Sequence, residues 1–419
     1  MRPPPASPRV NGVGALGVYS IASALATAVA IGITSWLSLR HYRALPKIAH
    51  DAEADRAENE RADDEWPRVS VVVPARNEER NLPRLLASLT GLDYPNYEII
   101  LVDDGSTDRT ASIGRDAAAR SLVSLRVLAA PHPQSGWTGK NAACAFGAGA
   151  AGGSWLLFTD ADTEHERTSL RLAMRAARTH RVGALSLFTQ QQCETFWERL
   201  LLPFAYQQYF SGVRPKQLAR PNGPALANGQ YFLISRRAYE TSGGHATIRS
   251  SLIDDVALAG ALKRAGYPPL ACRGESLVRV RMYHSLGELV EGFTKNSFQF
   301  LREQRGAAGL VILGTACAAG ILPLVIGAAL SGGPMALALC GCAYGIQVAG
   351  LAPWTSDFGA PVRYALLAPV SALVFTGIAL SSLLHILTRR PARWKGRAYP
   401  AAIGERPGDA ALAERSHAR

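Results

Sequence analysis

The sequence predicts an α/β domain, a parallel sheet with covering helices, set between transmembrane helices. Three observations lead there. Apolar residues crowd the N-terminus and the region after Gly306, while charge concentrates between them, the pattern of a membrane protein with a soluble insert. From Pro67 onward, short β-branched runs alternate with helical leucine and alanine spacings, which builds a parallel sheet. Acidic pairs follow the strand ends at Asp103-Asp104 and Asp160-Ala161-Asp162, and ligands of such sheets bind outside the carboxyl ends of the strands.

At 419 residues the chain exceeds one ordinary soluble domain. Its 45 Lys+Arg against 33 Asp+Glu leave +12. The basic clusters flank apolar runs (Arg40, Arg43, Lys47; Arg389, Arg390, Arg393, Lys395, Arg397), so anionic headgroups explain the charge. No aromatic-interleaved basic stripe points to nucleic acid. Six cysteines without CxxC spacing fit a reducing compartment, and nine histidines show no ligand spacing.

In order along the chain, residues 1–12 form a Pro-rich, disordered N-terminus. Residues 13–38 read as an uncleaved anchor, because the apolar run outlasts the signal-like Ala28-Val29-Ala30 and ends on a basic flank. A charged linker (39–66) leads to the soluble domain (67–305). Strands are expected at 69–73, 97–102, 125–128, 154–158, 182–188 and 227–235. Helices are expected at 81–89, 107–120, 141–151 and 251–265. The aromatic stretch 194–209 is either a core helix or an interfacial one. Residues 306–388 hold two or three membrane helices, about 310–330, 335–353 and 364–387, followed by a basic tail, 389–419. One span before the domain and three after would leave that tail outside, against its charge. The run 335–353, interrupted by Gly and Pro, is therefore a candidate re-entrant segment.

Asp160 and Asp162 project the same way from an extended backbone, and hard oxygen ligands suit Mg²⁺ or Mn²⁺. Alone, they read as well as a capped strand-to-helix turn. Their company changes that. Val69-Ser70-Val71-Val72-Val73-Pro74-Ala75-Arg76-Asn77-Glu78-Glu79 and Val102-Asp103-Asp104-Gly105-Ser106-Thr107-Asp108 resemble the opening of family 2 glycosyltransferases of the GT-A fold, a Rossmann-like mixed sheet with covering helices. Gly139-Lys140-Asn141, Asp160-Ala161-Asp162, Asn228-Gly229 and Asp254-Asp255 continue the resemblance. Arg279 to Tyr283, Glu291 to Asn296 and Arg393 to Tyr399 look like membrane enzymes that glycosylate carotenoids, and hopanoid-associated relatives are similar.

The resemblance implies a donor pocket formed by Pro74, Ala75, Asn77 and Glu78, with Asp103 and Asp104 meeting the nucleotide base. Lys140 would meet phosphate, Asp160 ribose and the cation, and Asp162 the cation. Asp255, with Asp254 in place of the more usual Glu, would be the base that deprotonates an acceptor hydroxyl, inverting the anomeric centre. Arg281 is a candidate diphosphate contact, and Lys295 reads as a solvated helix face. The Gln-x-x-Arg-Trp signature of processive synthases is absent, favouring single transfers. The expected function is transfer of glucose from a UDP-sugar to a lipid acceptor such as a carotenoid or hopanoid. The chain would be multi-pass in the inner membrane, its catalytic domain cytoplasmic. A polysaccharide synthase, a polyprenyl-phosphate sugar transferase and a non-catalytic scaffold or sensor are the alternatives.

Overall fold

The β-branched run Val69–Ala75 (β1) forms a strand in which every residue but Pro74 is buried, as a strand covered on both faces requires. It pairs in parallel with Tyr97–Asp103 (β2) and Trp155–Phe158 (β4), and β2 pairs in parallel with Leu125–Ala129 (β3). Beyond β4, Phe232–Ser235 (β8) runs antiparallel to β4 and to Ala184–Phe188 (β6), and Leu270–Arg273 (β9) returns parallel to β6. The sheet order is β3-β2-β1-β4-β8-β6-β9. Thr163–His165 (β5), Gln190–Gln191 (β7) and Val278–Val280 (β10) form a second, three-stranded sheet. The computed structural model describes residues 15–48, 66–213, 218, 220, 223–303, 305–330, 334–394 and 397–399. The N-terminal segment 1–12, linker residues 49–65 and the tail beyond 399 lie outside the described residues.

The sheet is thus mixed, and one expected strand is shorter than its pattern. The expected strand 227–235 is a strand only from Phe232, because the Asn228-Gly229 backbone before it is used elsewhere. The Asn228 N–H donates to Ser186 Oγ at 2.7 Å, and the Gly229 N–H to Asp255 Oδ2 at 2.9 Å.

Two helices show how packing sets the site. Leu82–Thr90 buries Leu82, Leu85, Leu86 and Leu89, and losing one such leucine side chain costs about 2–5 kcal/mol. Gly139–Ala150 lies close on the sheet because it is small-faced. A Cβ on Gly147 would stand 2.5 Å from Val72 Cγ1 and 2.9 Å from Val102 Cγ2. That approach brings the helix N-terminus, with Lys140, to the carboxyl edge of β1 and β4.

The first helix spans Ala15–Arg43, longer than the apolar run. Directly after it the chain joins the β9 edge: the Arg273 N–H donates to the Pro46 carbonyl at 2.7 Å and the Ile48 N–H to the Arg273 carbonyl at 2.9 Å. At the other end, Pro334–Asp357 and Val362–Leu387 are long and apolar enough to cross a membrane, and Ile312–Gly327 is a shorter apolar stretch within the Arg305–Leu330 helix. Pro334–Asp357 is one unbroken helix of 24 residues through Pro353, about 36 Å long at 1.5 Å per residue.

The aromatic Phe196–Ser211 helix buries Leu200, Leu201, Phe204 and Phe210 in a cluster shared with Tyr42, Trp354 and Ala368. Its partners are the long apolar helices and, through Phe188 of β6, whose ring meets that of Phe210 at 5.0 Å, one edge of the sheet. Gln207 Nε2 donates to Ser35 Oγ at 2.9 Å and to the Gly350 carbonyl at 3.0 Å, and Ser371 Oγ donates to the Leu200 carbonyl at 2.9 Å.

Candidate active site

Strand register assembles the first wall. Ala75 stands opposite Asp103, and Val72 opposite Phe158, so the loops after β1, β2 and β4 open on one edge. The first two loops are latched together. The Asp104 N–H donates to the Ala75 carbonyl at 2.8 Å, the Thr107 N–H to Asn77 Oδ1 at 2.9 Å and the Asn77 N–H to Ser106 Oγ at 3.0 Å. Asn77 sits at φ 53°, in the left-handed region that Asn tolerates better than most residues. The Glu78 N–H donates to Thr110 Oγ1 at 2.7 Å, and its carboxylate accepts from Asn81 Nδ2 at 2.9 Å. Asn77 and Glu78 therefore shape the loop through their own hydrogen bonds. Asp103 Oδ1 accepts the Ser106 N–H at 3.1 Å, and Asp104 is buried behind it.

The second wall is charged. Thr138 caps the Gly139–Ala150 helix by accepting the Asn141 N–H at 3.2 Å. Fully buried Asn141 donates to the carbonyls of Ile248 at 2.8 Å and Ser251 at 3.0 Å. That tie sets Lys140 against the helix beginning at Asp254. Lys140 Nζ lies 2.7 Å from Asp160 Oδ1 and 3.1 Å from Asp254 Oδ2. Burial works to lower the Lys140 pKa, but Asp160 and Asp254 outweigh it and hold the ammonium well above its ordinary value.

Asp254 and Asp255 occupy the first turn of Asp254–Arg264, after an N-cap, Ile253, that makes no side-chain cap. Asp255 Oδ2 accepts the Gly229 N–H at 2.9 Å, and Oδ1 accepts the Val256 N–H at 2.8 Å. Burial, and then the neighbouring Asp254 carboxylate, push the Asp255 pKa up from 3.8 to about 6, against Lys140 and the two backbone donors. Asp254 goes the other way: burial would raise it, but Lys140 and then Lys295 hold it below its ordinary value. Two adjacent carboxylates thus differ in proton affinity, the pattern expected of a base and its charge partner. Gly229 keeps this approach uncrowded: a Cβ there would lie a tight 3.3 Å from Asp255 Cβ and in ordinary contact, 3.6 Å, with Lys140 Nζ.

Arg281 takes a different place from the diphosphate contact expected of it. Its Nε lies 3.1 Å from Oε1 of Glu198, which is completely buried, and its Nη1 2.5 Å from Glu194 Oε2. Burial would raise the Glu198 pKa, but Arg281 and the Thr195 N–H hold it low. A guanidinium committed to a buried carboxylate is held there by the cost of leaving that charge unpaired. The Arg281 backbone N–H reaches the Asp162 carbonyl at 3.3 Å, so Arg281 braces the turn from beneath. Lys295 also departs from expectation: it is half-buried and close enough to Asp254 to lower that carboxylate's pKa.

Two histidines escaped sequence reasoning. Buried His165 contacts the hydroxyls of Thr159 at 3.0 Å and Thr163 at 3.1 Å through Nε2. Those hydroxyls donate to the carbonyls of Gln230 and Asp160, each at 2.8 Å, so their protons are spent and Nε2 must carry the hydrogen. Burial pushes the His165 pKa down to about 3, which keeps the ring neutral beneath the Asp160–Asp162 turn. His245 lies in the cleft wall with its Nδ1 2.9 Å from the Tyr239 hydroxyl. The pair Gly243 (φ 77°) and Gly244 (φ 53°) allows that placement, and a Cβ on Gly244 would meet the Tyr239 ring at 2.5 Å. A Gly-Gly-His run is the one local signal that pointed to this residue.

Among the described residues, no group of three or more His, Cys, Asp or Glu side chains could cage a metal ion. The donor set fits instead a hard cation that takes one or two carboxylates and fills its shell with phosphate and water, as Mg²⁺ does.

Residues 70–243 match the model of glycosyl transferase family 2. The 4,4'-diaponeurosporenoate glycosyltransferase of Staphylococcus haemolyticus (strain JCSC1435) is 31% identical over 233 residues, covering 54% of this chain and 60% of that protein. Its namesake from Staphylococcus aureus (strain USA300) is 28% identical over 236 residues, with the same coverage. The chain thus spans about three fifths of the length of these curated relatives. Among solved structures, mannosyltransferase PcManGT from Pyrobaculum calidifontis, in complex with GDP-Man and Mn²⁺, aligns with a TM-score of 0.54 at 20% identity, over 84% of this chain and 99% of that one. At that identity the likeness speaks to the fold. Residues 70–243 thus resemble the glycosyl transferase family 2 domain, and the chain shares the fold of the mannosyltransferase.

Proposed function

We propose that the chain transfers glucose from a UDP-sugar to a hydroxyl of a hydrophobic lipid, of the carotenoid or hopanoid class, with inversion. The observation that carries this reading is Asp255, a carboxylate with its pKa raised to about 6 and held by Gly229 and Val256 N–H groups, beside the Lys140–Asp160–Asp254 cluster. The names of the staphylococcal relatives support the acceptor class, and the two apolar helices support membrane association; a multi-pass, inner-membrane chain with a cytoplasmic catalytic domain is part of the same proposal.

Asp255 accepts the acceptor's hydroxyl proton as the oxygen attacks the anomeric carbon. The new C–O bond forms opposite the breaking sugar–phosphate bond, whose electron pair departs on the diphosphate, so one displacement inverts the centre. Asp254 keeps its neighbour basic, and Lys140 fixes Asp160 and Asp254 in place. Asp103 and Asp104 face the nucleotide base, in a loop shaped by Pro74, Ala75, Asn77 and Glu78, and Asp160 faces the ribose. Asp162, with Asp160, would hold Mg²⁺ or Mn²⁺, which when bound supplies Lewis-acid charge to the diphosphate.

The test is transfer from UDP-glucose to extracted lipid by membranes carrying the full chain. Asp162→Ala and Asp255→Ala should each abolish transfer while the protein still accumulates, and retained turnover in both would overturn the mechanism. A polymeric or phospholipid-linked product would move the acceptor to a different class.

A further inference from the structure

A second cavity, open and of about 450 Å³, falls within the usual size of small-ligand clefts, about 300–1,000 Å³. It shares no lining residue with the cleft of Asp160 and Asp255. One wall is β7 and the residues after it, Gln190 to Glu194, with Arg279 of the paired strand β10. The other is the stretch from Ser356 to Gly359, where the Pro334–Asp357 helix ends and the chain turns toward Val362–Leu387. Both helices are long and apolar enough to cross a membrane, so the turn between them would stand at a bilayer surface, level with the lipid headgroups.

The charges around this cavity are already matched. Arg279 Nη2 lies 2.7 Å from Glu166 Oε1, Asp357 Oδ1 3.2 Å from Arg43 Nη2, and Glu194 Oε2 2.5 Å from Arg281 Nη1. Two amides are only half used. Gln190 Nε2 donates to the carbonyls of Gln191 at 3.2 Å and Asp357 at 3.3 Å, while its Oε1 meets no partner among the described residues. Gln192 Oε1 accepts from Arg84 Nη1 at 3.2 Å, and its Nε2 likewise meets none. The cavity therefore offers one amide acceptor and one amide donor among paired charges. A phosphate or ammonium headgroup would have to break one of those ion pairs. Neighbouring sugar hydroxyls would not, since each hydroxyl both donates and accepts. We propose that this cavity holds the sugar headgroup of a neutral glycolipid at the bilayer surface. The product of the proposed transfer belongs to that class; the link to the product, and the placement at a bilayer, rest on the reading above.

The test is native mass spectrometry of the full chain in a detergent that carries no sugar, titrated with glucosyl-diacylglycerol. No nucleotide and no turnover are needed, so failure to bind the glycolipid and failure to transfer sugar are separate results. The unaltered chain should hold the glycolipid about tenfold or more tighter than diacylglycerol, phosphatidylglycerol or methyl glucoside, which has the sugar without the tails. Gln190→Ala and Gln192→Ala should each weaken retention roughly fivefold to tenfold, as loss of one or two hydrogen bonds predicts. Ser356→Trp, at an exposed position on the opposite wall, should fill the cavity and weaken retention at least as much with no change in melting temperature. Equal retention of diacylglycerol would assign the binding to the tails, and tighter retention of phosphatidylglycerol to a charged headgroup; either overturns the proposal. So does methyl glucoside binding as tightly as the glycolipid, or full retention in all three variants.

Discussion

Replacing Asp254 by Asn should move the acid limb of the pH–rate profile to lower pH. Asp255 rises from 3.8 to about 6, through burial first and the Asp254 charge second. At 1.36 kcal/mol per pK unit this is about 3 kcal/mol of differential cost to the ionised form. In the unaltered protein kcat/KM should fall about tenfold per pH unit below pH 6, as the base becomes protonated. In Asp254→Asn the like charge is gone and Lys140, now shared with Asp160 alone, acts more strongly on Asp255. Both changes lower the Asp255 pKa, so the limb should shift down by about one unit. The stability sign follows from linkage. A carboxyl whose pKa is raised on folding costs stability above its folded pKa and relieves that cost as pH falls through about 6 toward 3.8. Asp255→Asn should therefore unfold at higher temperature than the unaltered chain at pH 7.5 and converge with it near pH 4. Initial rates of lipid glucosylation between pH 5 and 8 (about one unit either side of the limb and beyond), with thermal unfolding of the same samples, read both effects. An acid limb unmoved by Asp254→Asn, or full turnover in Asp255→Asn, would refute the assignment of the base.

Gly229→Ala should lower kcat by about tenfold with little loss of stability, because a Cβ 3.3 Å from Asp255 Cβ shifts the carboxylate by a few tenths of an ångström; single-turnover rates against UDP affinity would separate this from a donor-binding defect. Arg281→Met should destabilise by about 3–5 kcal/mol, since fully buried Glu198 loses its counter-ion, and the double variant Arg281→Met/Glu198→Gln should regain much of that in thermal melts while binding UDP normally. His165→Phe should raise the Mn²⁺ concentration needed for half-maximal rate, because the Thr159 and Thr163 hydroxyls that border Asp160 lose their shared donor; an unchanged metal requirement would show that the turn holds its shape without the ring. Chelation should stop transfer and added Mg²⁺ or Mn²⁺ restore it, a reversal followed directly in the rate assay.

The strand ends were legible to within two residues, because the apolar runs stop at Pro74, Asp103-Asp104 and Thr159-Asp160, although β1 pairs on through Pro74 to Ala75 and β2 through Asp103. The direction of β8 was not, because alternation of side chains is the same in parallel and antiparallel strands. Arg281 misled for a related reason. Its partner Glu198 lies 83 residues away on a helix whose capping box is local but whose buried carboxylate is not. Lys295 sits in a mixed polar and apolar helix, and helical periodicity shows that a face is polar without showing whether water or another charge meets it. His165 belongs to a three-residue strand with no spacing signal at all. Local pattern fixes elements well; charge pairing across the tertiary structure is read only once the elements are docked.

That docking also explains why the domain boundary is sharper in composition than in space. The Ala15–Arg43 helix ends at Arg43, which pairs with Asp357 at 3.2 Å, and the next residues extend the large sheet at β9. Tyr42 donates to Glu275 Oε1 at 2.5 Å, directly after that strand. The Phe196–Ser211 helix touches the Ala15–Arg43 helix through Ser35 and the Pro334–Asp357 helix through Gly350, with one glutamine serving both. Its capping box places Glu198 beneath Arg281, which touches the backbone of Asp162. A continuous set of hydrogen bonds and ion pairs thus runs from the long apolar helices to the turn that carries the candidate cation ligand. Under the proposed function, a water-soluble donor and a membrane-held acceptor would have to meet at a fixed height above the bilayer. A swinging linker would hold neither carboxylate at that height; a helix, a strand addition and a buried ion pair do.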